Sequence, residues 1–542
     1  MSGPIEPPFT EVCTLGDALL RSANEQPDAP ALILPGESAS FAELADSAIA
    51  IARSLAALGV QPRQNVALLI PNCVQFASAL FGISMIGAVA VPLNVRNRSA
   101  DLRFVLSDSQ AVAIITSDHS DDPLDFVALI EEAAAGLDGG QGAATGLGQL
   151  LLIRGDDRGQ FIGAQRFLAM GEGIEPNAIN ERRQRVRVRD PALMIYTSGT
   201  TANPKGCVLS HEAATRGPIE RSRYRLRSGG HEVTWGGGPL YHIGSLAPFI
   251  GSVGVGGTYL TDTYFEAGRA LRLMEEHGAT LAWPWFSAIV QGLIDHPTFD
   301  AAKLSKLRYF FMIAPPVLVD RVQELFPRTE VLQACGMTET AGVFALSDPD
   351  EDLRSRSTTN GKPSPGVEVR IVDPDKGKDM PPDVMGELWV RGYNVMDCYW
   401  RAPAKTAETM TEDRWLQTGD LYTMLSNGSL VFGGRCKDML KVGGENVAAI
   451  EVEAFLSTHP AVKIAEVVGR ADPRLDEVPV AFVELREGSS APEDELIAHC
   501  KGKIANYKVP RAIIFMKADE WPMSATKIDK RALRHRLQEA TK

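Results

Sequence analysis

The densest run of chemically capable residues in the chain is YTSGTTANPKG, at 196–206. Thr197, Ser198, Thr200 and Thr201 supply hydroxyls, Gly199 sits among them, and Lys205 closes the run. A glycine lets the backbone turn tightly enough for amide N–H groups to converge on phosphate oxygens. The hydroxyls add donors and the ammonium adds charge. The spacing is not that of the common nucleotide loop, in which Gly-Lys is followed by Ser or Thr and then a helix. Here Pro204 precedes the lysine directly, and residues 207–210 read as a strand. A polar turn between two strands would account for any short piece of the string. Its full length points to a phosphate cradle.

Such a loop has to be held by regular elements, and the chain supplies them in alternation. Residues 192–196 form an apolar run leading into the loop. Upstream, Ser40 and Glu43 make a capping box, followed by Leu44, Ala48, Ile51, Leu55 and Leu58 at helical spacing and a stop at Gly59. Strands are predicted at 66–70, 88–91 and 111–116, separated by helices, which implies parallel sheets with helices on their faces. The stretch 133–148 is rich in Gly and Ala and reads as a surface loop. A second alternating block runs over 233–330. Residues 367–391 differ: short strands between Pro-rich turns, β-barrel-like or an antiparallel sheet. The last hundred residues read as a small α+β unit with helices at 447–457 and from 492, and strands at 464–468, 478–485 and 512–516. The fold class is therefore α/β, with a large N-terminal domain over 1–436 and a small C-terminal domain over 437–542.

Composition narrows the function. The 542 residues carry a net charge of −13 with no long basic run, which argues against nucleic acid as the main partner. Seven cysteines are scattered without a C-x-x-C pair, so neither a zinc site nor a disulfide framework is implied, and the cytoplasm is the simplest location. The N-terminus has no signal-peptide pattern. The most apolar stretch, 77–93, is too short to serve as a transmembrane segment.

The 196–206 string resembles the phosphate loop of the adenylate-forming superfamily, which holds acyl- and aryl-CoA synthetases, peptide-synthetase adenylation domains and beetle luciferases. Further motifs follow in that family's order: LYHIG at 240–244, GMTE at 336–339, TGD at 418–420, GRCKDMLKVGGEN at 434–446 and SATKI at 524–528. The resemblance implies an AMP-forming acid–CoA ligase. A carboxylate attacks the α-phosphorus of ATP, pyrophosphate leaves, and the thiol of CoA then displaces AMP. Two anions must be pushed together, so the site has to supply aligned donors and positive charge.

The resemblance also implies the parts. Residues 197–205 hold the leaving phosphates, Thr338 meets the α-phosphate, and Glu339 binds Mg²⁺. Asp420 and Arg435 take the ribose, and Ala314, Cys335 and Gly336 border the adenine. Lys527 bridges carboxylate and α-phosphate. Lys530 and Arg531 are expected to be ordinary surface charges. Lys437 is the hinge about which the mobile small domain turns, Gly443 and Gly444 line the CoA tunnel after the turn, and His242 gates it. Trp283, Trp285, Ala334 and Ala341 are candidates for the acyl pocket, with Phe286, Thr340 and Val343 nearby. These are mainly apolar or small, which suits a fatty or aromatic acid. No Asp or Glu lies within 241–248 to receive an α-ammonium group. Departures from the family pattern are Ala202 and Thr526 at glycine positions, Cys335 at a position usually aromatic, and two prolines at 315–316. Alternatives are a stand-alone enzyme that loads a separate carrier protein, a luciferase-like oxygenation, and a non-catalytic nucleotide sensor. The ending of the chain soon after Lys527 leaves no fused carrier in this reading. Homodimerisation stays open.

Overall fold

The computed structural model describes residues 12–119, 122, 124–135, 147–197, 204–227, 231–374, 376–442, 445–524 and 527–539. Two large sheets dominate. The first has seven strands in the order Cys398–Tyr399, Lys205–Ser210, Pro191–Thr197, Val89–Pro92, Asn65–Leu69, Ala113–Ser117, Gln149–Arg154. Its five last-named strands run parallel, and the Lys205–Ser210 strand turns back antiparallel at the edge of that block. The second has nine strands, with a parallel centre that includes Thr258–Leu260, Val233–Gly236, Leu281–Phe286, Tyr309–Ile313 and Glu330–Met337.

The patterned segments fold as their spacing predicts. The helix Phe41–Ala57 begins at Ser40, whose hydroxyl accepts from the Glu43 amide while the Glu43 carboxylate accepts from the Ser40 amide. Leu44, Ala48, Ile51 and Leu55 are buried along one stripe, because residues three and four apart share a helix face. Strands such as Asn65–Leu69 are buried throughout, since helices cover both faces of the sheet. Of the expected 133–148 loop, residues up to Ala135 belong to the helix Phe126–Ala135, Gln149 opens a strand, and 136–146 lie outside the described residues.

The β-barrel-like stretch is a four-stranded antiparallel sheet in the order Val367–Val372, Met385–Gly392, Leu416–Met424, Leu430–Arg435. After the short turn Cys436–Asp438 comes a five-stranded sheet built on the long pair Val462–Asp472 and Asp476–Leu485. It has its own apolar core around Val452, Val467, Ala481, Val483 and Leu496. Two hairpins in this unit are additions to the sequence reading: Met439–Val442 with Glu445–Ala448, and Met523–Ser524 with Lys527–Ile528. No helix among the described residues is long and apolar enough to cross a membrane.

Candidate active site

The first sheet fixes the ends of the phosphate-loop string. Thr197 and Lys205 are partners across the antiparallel pair, so the segment between them leaves and re-enters the sheet at one point. Ser198, Gly199, Thr200, Thr201 and Ala202 lie outside the described residues. The flanks are clamped from one residue: the Tyr196 hydroxyl donates to the Asp108 carboxylate at 2.6 Å, and the Trp400 indole donates to the Asp108 carbonyl at 3.0 Å. The Trp400 amide also donates to the Gly206 carbonyl at 2.7 Å.

Beside Lys205 sits a residue that sequence reasoning missed. Tyr399 pairs with Cys207 across the edge of the sheet, which puts its ring under the Lys205 ammonium at 4.9 Å. Its hydroxyl donates to Glu339 Oε1 at 2.7 Å. Burial and the neighbouring Glu339 and Cys207 hold the phenol far above its usual range, so it stays a donor. Burial and Lys405 pull the Lys205 ammonium below its usual value, against the raising effect of Glu339 and Glu408. No spacing signal links positions 205, 339 and 399. Only strand pairing across nearly two hundred residues brings them together.

Thr338 and Glu339 ride on a single tight turn, Thr338–Thr340, between two antiparallel strands. The Thr340 hydroxyl fastens that turn, accepting from the Met337 amide at 3.1 Å and donating to the Gly342 carbonyl at 2.8 Å. The Met396 amide donates to the Glu339 carbonyl at 2.8 Å, and the Glu339 side chain is buried. The bend needs the glycine at 336: an added Cβ would meet the Gly342 carbonyl oxygen at 2.4 Å and the Val343 Cα at 2.8 Å. Gly336→Ala is therefore expected to cost about 1–3 kcal/mol, by forcing two backbones apart, and to displace the 338–340 turn. A denaturant unfolding curve against wild type measures it.

A second group lies on the four-stranded sheet. Asp420 faces Arg435 across the ladder, with Arg435 Nε 3.1 Å from the carboxylate. The Thr418 hydroxyl donates to the Leu388 carbonyl at 2.6 Å and the Gly419 amide donates to Glu387 at 2.9 Å, so the TGD corner is rigidly tied. Cys335 is buried in the main apolar core together with Tyr422, an aromatic residue of this same sheet. Ala314 follows the strand Tyr309–Ile313, its amide donating to the Gln333 side chain at 3.3 Å, just before the helix Pro316–Leu325.

The acyl-pocket candidates divide. Trp283, Trp285 and Ala334 share one apolar cluster with Phe311 and Val343, whereas Ala341 packs into the main core. Trp283 stacks flat on Phe311, centroids 3.5 Å apart. Trp285 holds a left-handed backbone, φ 62°, and its indole donates to the Gly244 carbonyl at 2.5 Å. A tryptophan in that conformation is strained and persists only where its surroundings over-determine it. The LYHIG segment is pinned from the other side by buried Asn72, which accepts from the Leu240 amide at 2.7 Å and donates to the Gly238 and Asp262 carbonyls. His242 stands at the start of the helix Ile243–Gly254, its ring against Tyr241 at 4.8 Å.

In the C-terminal unit Lys437 is half-buried in the Cys436–Asp438 turn, and burial lowers its ammonium below the usual value. Gly443 and Gly444 lie outside the described residues. Lys527 lies on the second hairpin, paired with Ser524. Lys530 corrects the expectation of a surface charge: it is half-buried and ion-paired between Glu453 and Glu466, and Arg534 on the same helix donates to Asp438 at 2.6 Å. Arg531 is exposed, as expected.

Together these groups offer a buried carboxylate with a phenol donor, an ammonium at a phosphate-loop end, and an acid–guanidinium pair. That set suits a nucleotide triphosphate beside an apolar pocket. A single protein carboxylate such as Glu339 also suits Mg²⁺, which takes few protein ligands and completes its shell with phosphate and water. No cluster of three or more metal-ligating side chains occurs among the described residues.

Known proteins define the class. The family of AMP-binding enzymes matches residues 19–400, and the AMP-binding enzyme C-terminal domain matches 451–527. The feruloyl-CoA synthase of Amycolatopsis sp is 32% identical over 96% of this chain and 99% of its own. The mitochondrial medium-chain acyl-CoA ligase of Mus musculus is 28% identical over 98% of this chain and 88% of its own. Among solved structures, ATP-bound MatB from Rhodopseudomonas palustris superimposes with a TM-score of 0.84 at 25% identity, over 98% of this chain and 100% of that one. The chain belongs to the AMP-binding enzyme family, in its acyl- and aryl-CoA synthetase branch. It is an acid–thiol ligase, for which ATP, CoA and a carboxylic acid are the substrates.

Proposed function

We propose that the protein converts an acid with an apolar aliphatic or aromatic body into its CoA thioester in two steps at one site. In the first, a carboxylate oxygen bonds to the α-phosphorus of ATP and the bond to the pyrophosphate oxygen breaks. In the second, the thiol sulfur of CoA attacks the acyl carbonyl, the bond to AMP breaks, and the thiol proton leaves to solvent. The observation that carries this reading is the joining of Lys205, Tyr399 and Glu339 beside the Thr338 turn.

In the first step Lys205 and the 197–201 loop hold the leaving phosphates, and Thr338 donates to the α-phosphate. Mg²⁺ on Glu339 supplies positive charge to the phosphates, with the carboxylate oriented by Tyr399. Asp420 accepts from the ribose hydroxyls and Arg435 steadies that carboxylate. Lys527 brings its ammonium to the carboxylate and α-phosphate. The unit beyond residue 436 then turns about Lys437, withdrawing Lys527 and bringing Gly443 and Gly444 to the tunnel that His242 gates. The apolar wall of Trp283, Trp285 and Ala334 receives the acid.

The test is a panel of fatty and aromatic acids with ATP, Mg²⁺ and CoA, read by pyrophosphate release and by mass spectrometry for CoA thioesters. Both products should appear, and both should require an acid. Pyrophosphate without a CoA adduct transfers the second step to a carrier protein. No pyrophosphate with any acid rejects the reading.

A further inference from the structure

The helix His211–Glu220 runs on into a π-helical turn, Arg221–Arg225. Such turns are rare and are found frequently at functional sites. Its first residue, Arg221, is only 4% exposed. Other arginines of this stretch have conventional partners. Arg216 pairs with Glu212 and Glu220, and Arg227 pairs with Asp350. Arg225 donates to the Leu346 carbonyl and lies in the field of Asp348 and Glu351.

Arg221 has no carboxylate partner among the described residues. Among the described residues it makes one hydrogen bond, Nη1 donating to the Val343 carbonyl at 3.3 Å. Its guanidinium lies 5.7 Å from the Trp283 ring. Tyr393 and Arg225 are its titratable neighbours, the first favouring the cation and the second opposing it. Burial pulls it down to about 10, still charged at neutral pH.

A buried cation is costly unless paired and hydrogen-bonded, and a guanidinium carries five N–H donors. One of them goes to Val343. The two groups Arg221 touches, Val343 and Trp283, belong to the same apolar cluster as the pocket candidates Trp285 and Ala334. The charge therefore stands against an otherwise apolar cluster that holds three of the acyl-pocket candidates.

We propose that Arg221 is a specificity residue at the distal end of the acid pocket, binding a second oxygen acceptor on the substrate, as a carboxylate or a ketone. The inference rests on the ligase reading above and adds the substrate class: an apolar chain or ring with an acceptor oxygen remote from the reacting carboxylate. A carboxylate there would neutralise the buried charge, and a ketone would accept from a guanidinium N–H. A hydrogen bond to a charged group contributes about 1.5–3 kcal/mol, which corresponds to roughly 10- to 100-fold in kcat/KM.

The experiment measures pyrophosphate release for chain-matched sets: hexanoate, 5-oxohexanoate and adipate, then nonanoate, 8-oxononanoate and azelate. Wild type is expected to prefer an oxygen-bearing member over its plain counterpart by about 10-fold or more. The ketone and dicarboxylate arms tell which acceptor is used. In Arg221→Met, similar in length and uncharged, that preference should vanish or invert, mainly through KM, while Arg221→Lys keeps part of it. If wild type prefers the plain acids, or if Arg221→Met lowers all members equally, the inference is overturned. Turnover of plain acids in that case leaves the ligase reading standing, whereas no turnover of any acid removes the ligase reading itself.

Discussion

Lys527→Ala should lower acyl-adenylate formation by about 10²–10³-fold, the loss expected when one donor aimed at developing transition-state charge is removed. Thiolysis of added acyl-adenylate by CoA should stay within about threefold of wild type, because that step uses a different face of the C-terminal unit. The asymmetry follows from the proposed turn about Lys437. Lys527 sits on the short hairpin with Ser524, and under the proposed turn it acts only when that hairpin is presented to the α-phosphate. Single-turnover measurements of each half-reaction decide it. Equal losses in both steps would mean that Lys527 works through the fold. No loss in the first would remove it from the chemistry.

The second large effect concerns stability. Lys530 lies between Glu453 and Glu466, the latter at 3.3 Å, with Glu453 also accepting from the Val467 amide at 2.8 Å. Removing the cation by Lys530→Met leaves two carboxylates facing each other out of water, a loss of about 3–5 kcal/mol for the C-terminal unit. The protein has a partial escape, because burial and the Glu453 charge push the Glu466 carboxyl up to about 7. The folded state thus holds a proton that the unfolded chain releases near the ordinary carboxylate value. The stabilisation is complete below about 4.5 and is lost as pH rises through about 7. Lys530→Met should therefore be much less damaging at pH 5 than at pH 8. Glu466→Gln should flatten the pH dependence of wild type over that window. Denaturant unfolding followed by the fluorescence of Trp521, which lies in this unit, measures both.

Much of this was written locally. The Ser40–Glu43 box, the 44–55 stripe and the apolar strand runs depend on period and capping chemistry, which act over a few residues. The ordered motifs identified the family and named Lys205, Glu339, Asp420 and Arg435, because phosphate and ribose chemistry restricts residue types within short windows. The phosphate loop itself, 198–203, and Gly443 and Gly444 lie outside the described residues, so for them the sequence remains the source.

Only the tertiary structure could supply the rest. Tyr399 reaches Glu339 because a two-residue strand pairs with the Lys205–Ser210 strand. Asn72 pins the His242 segment from the opposite sheet. Lys530 reads as a solvated charge on a basic helix and proves to be the centre of a half-buried ion cluster. Arg221 reads as one arginine among several and proves to be buried with no carboxylate partner among the described residues. The physical reason is common to all four. Burial and pairing of a polar group depend on what long-range packing brings against it, and a pattern of period two or 3.6 carries no record of that. The sequence determined what reaction the protein performs. The fold decided that Tyr399 meets Glu339 and that Arg221 lies buried beside Trp283.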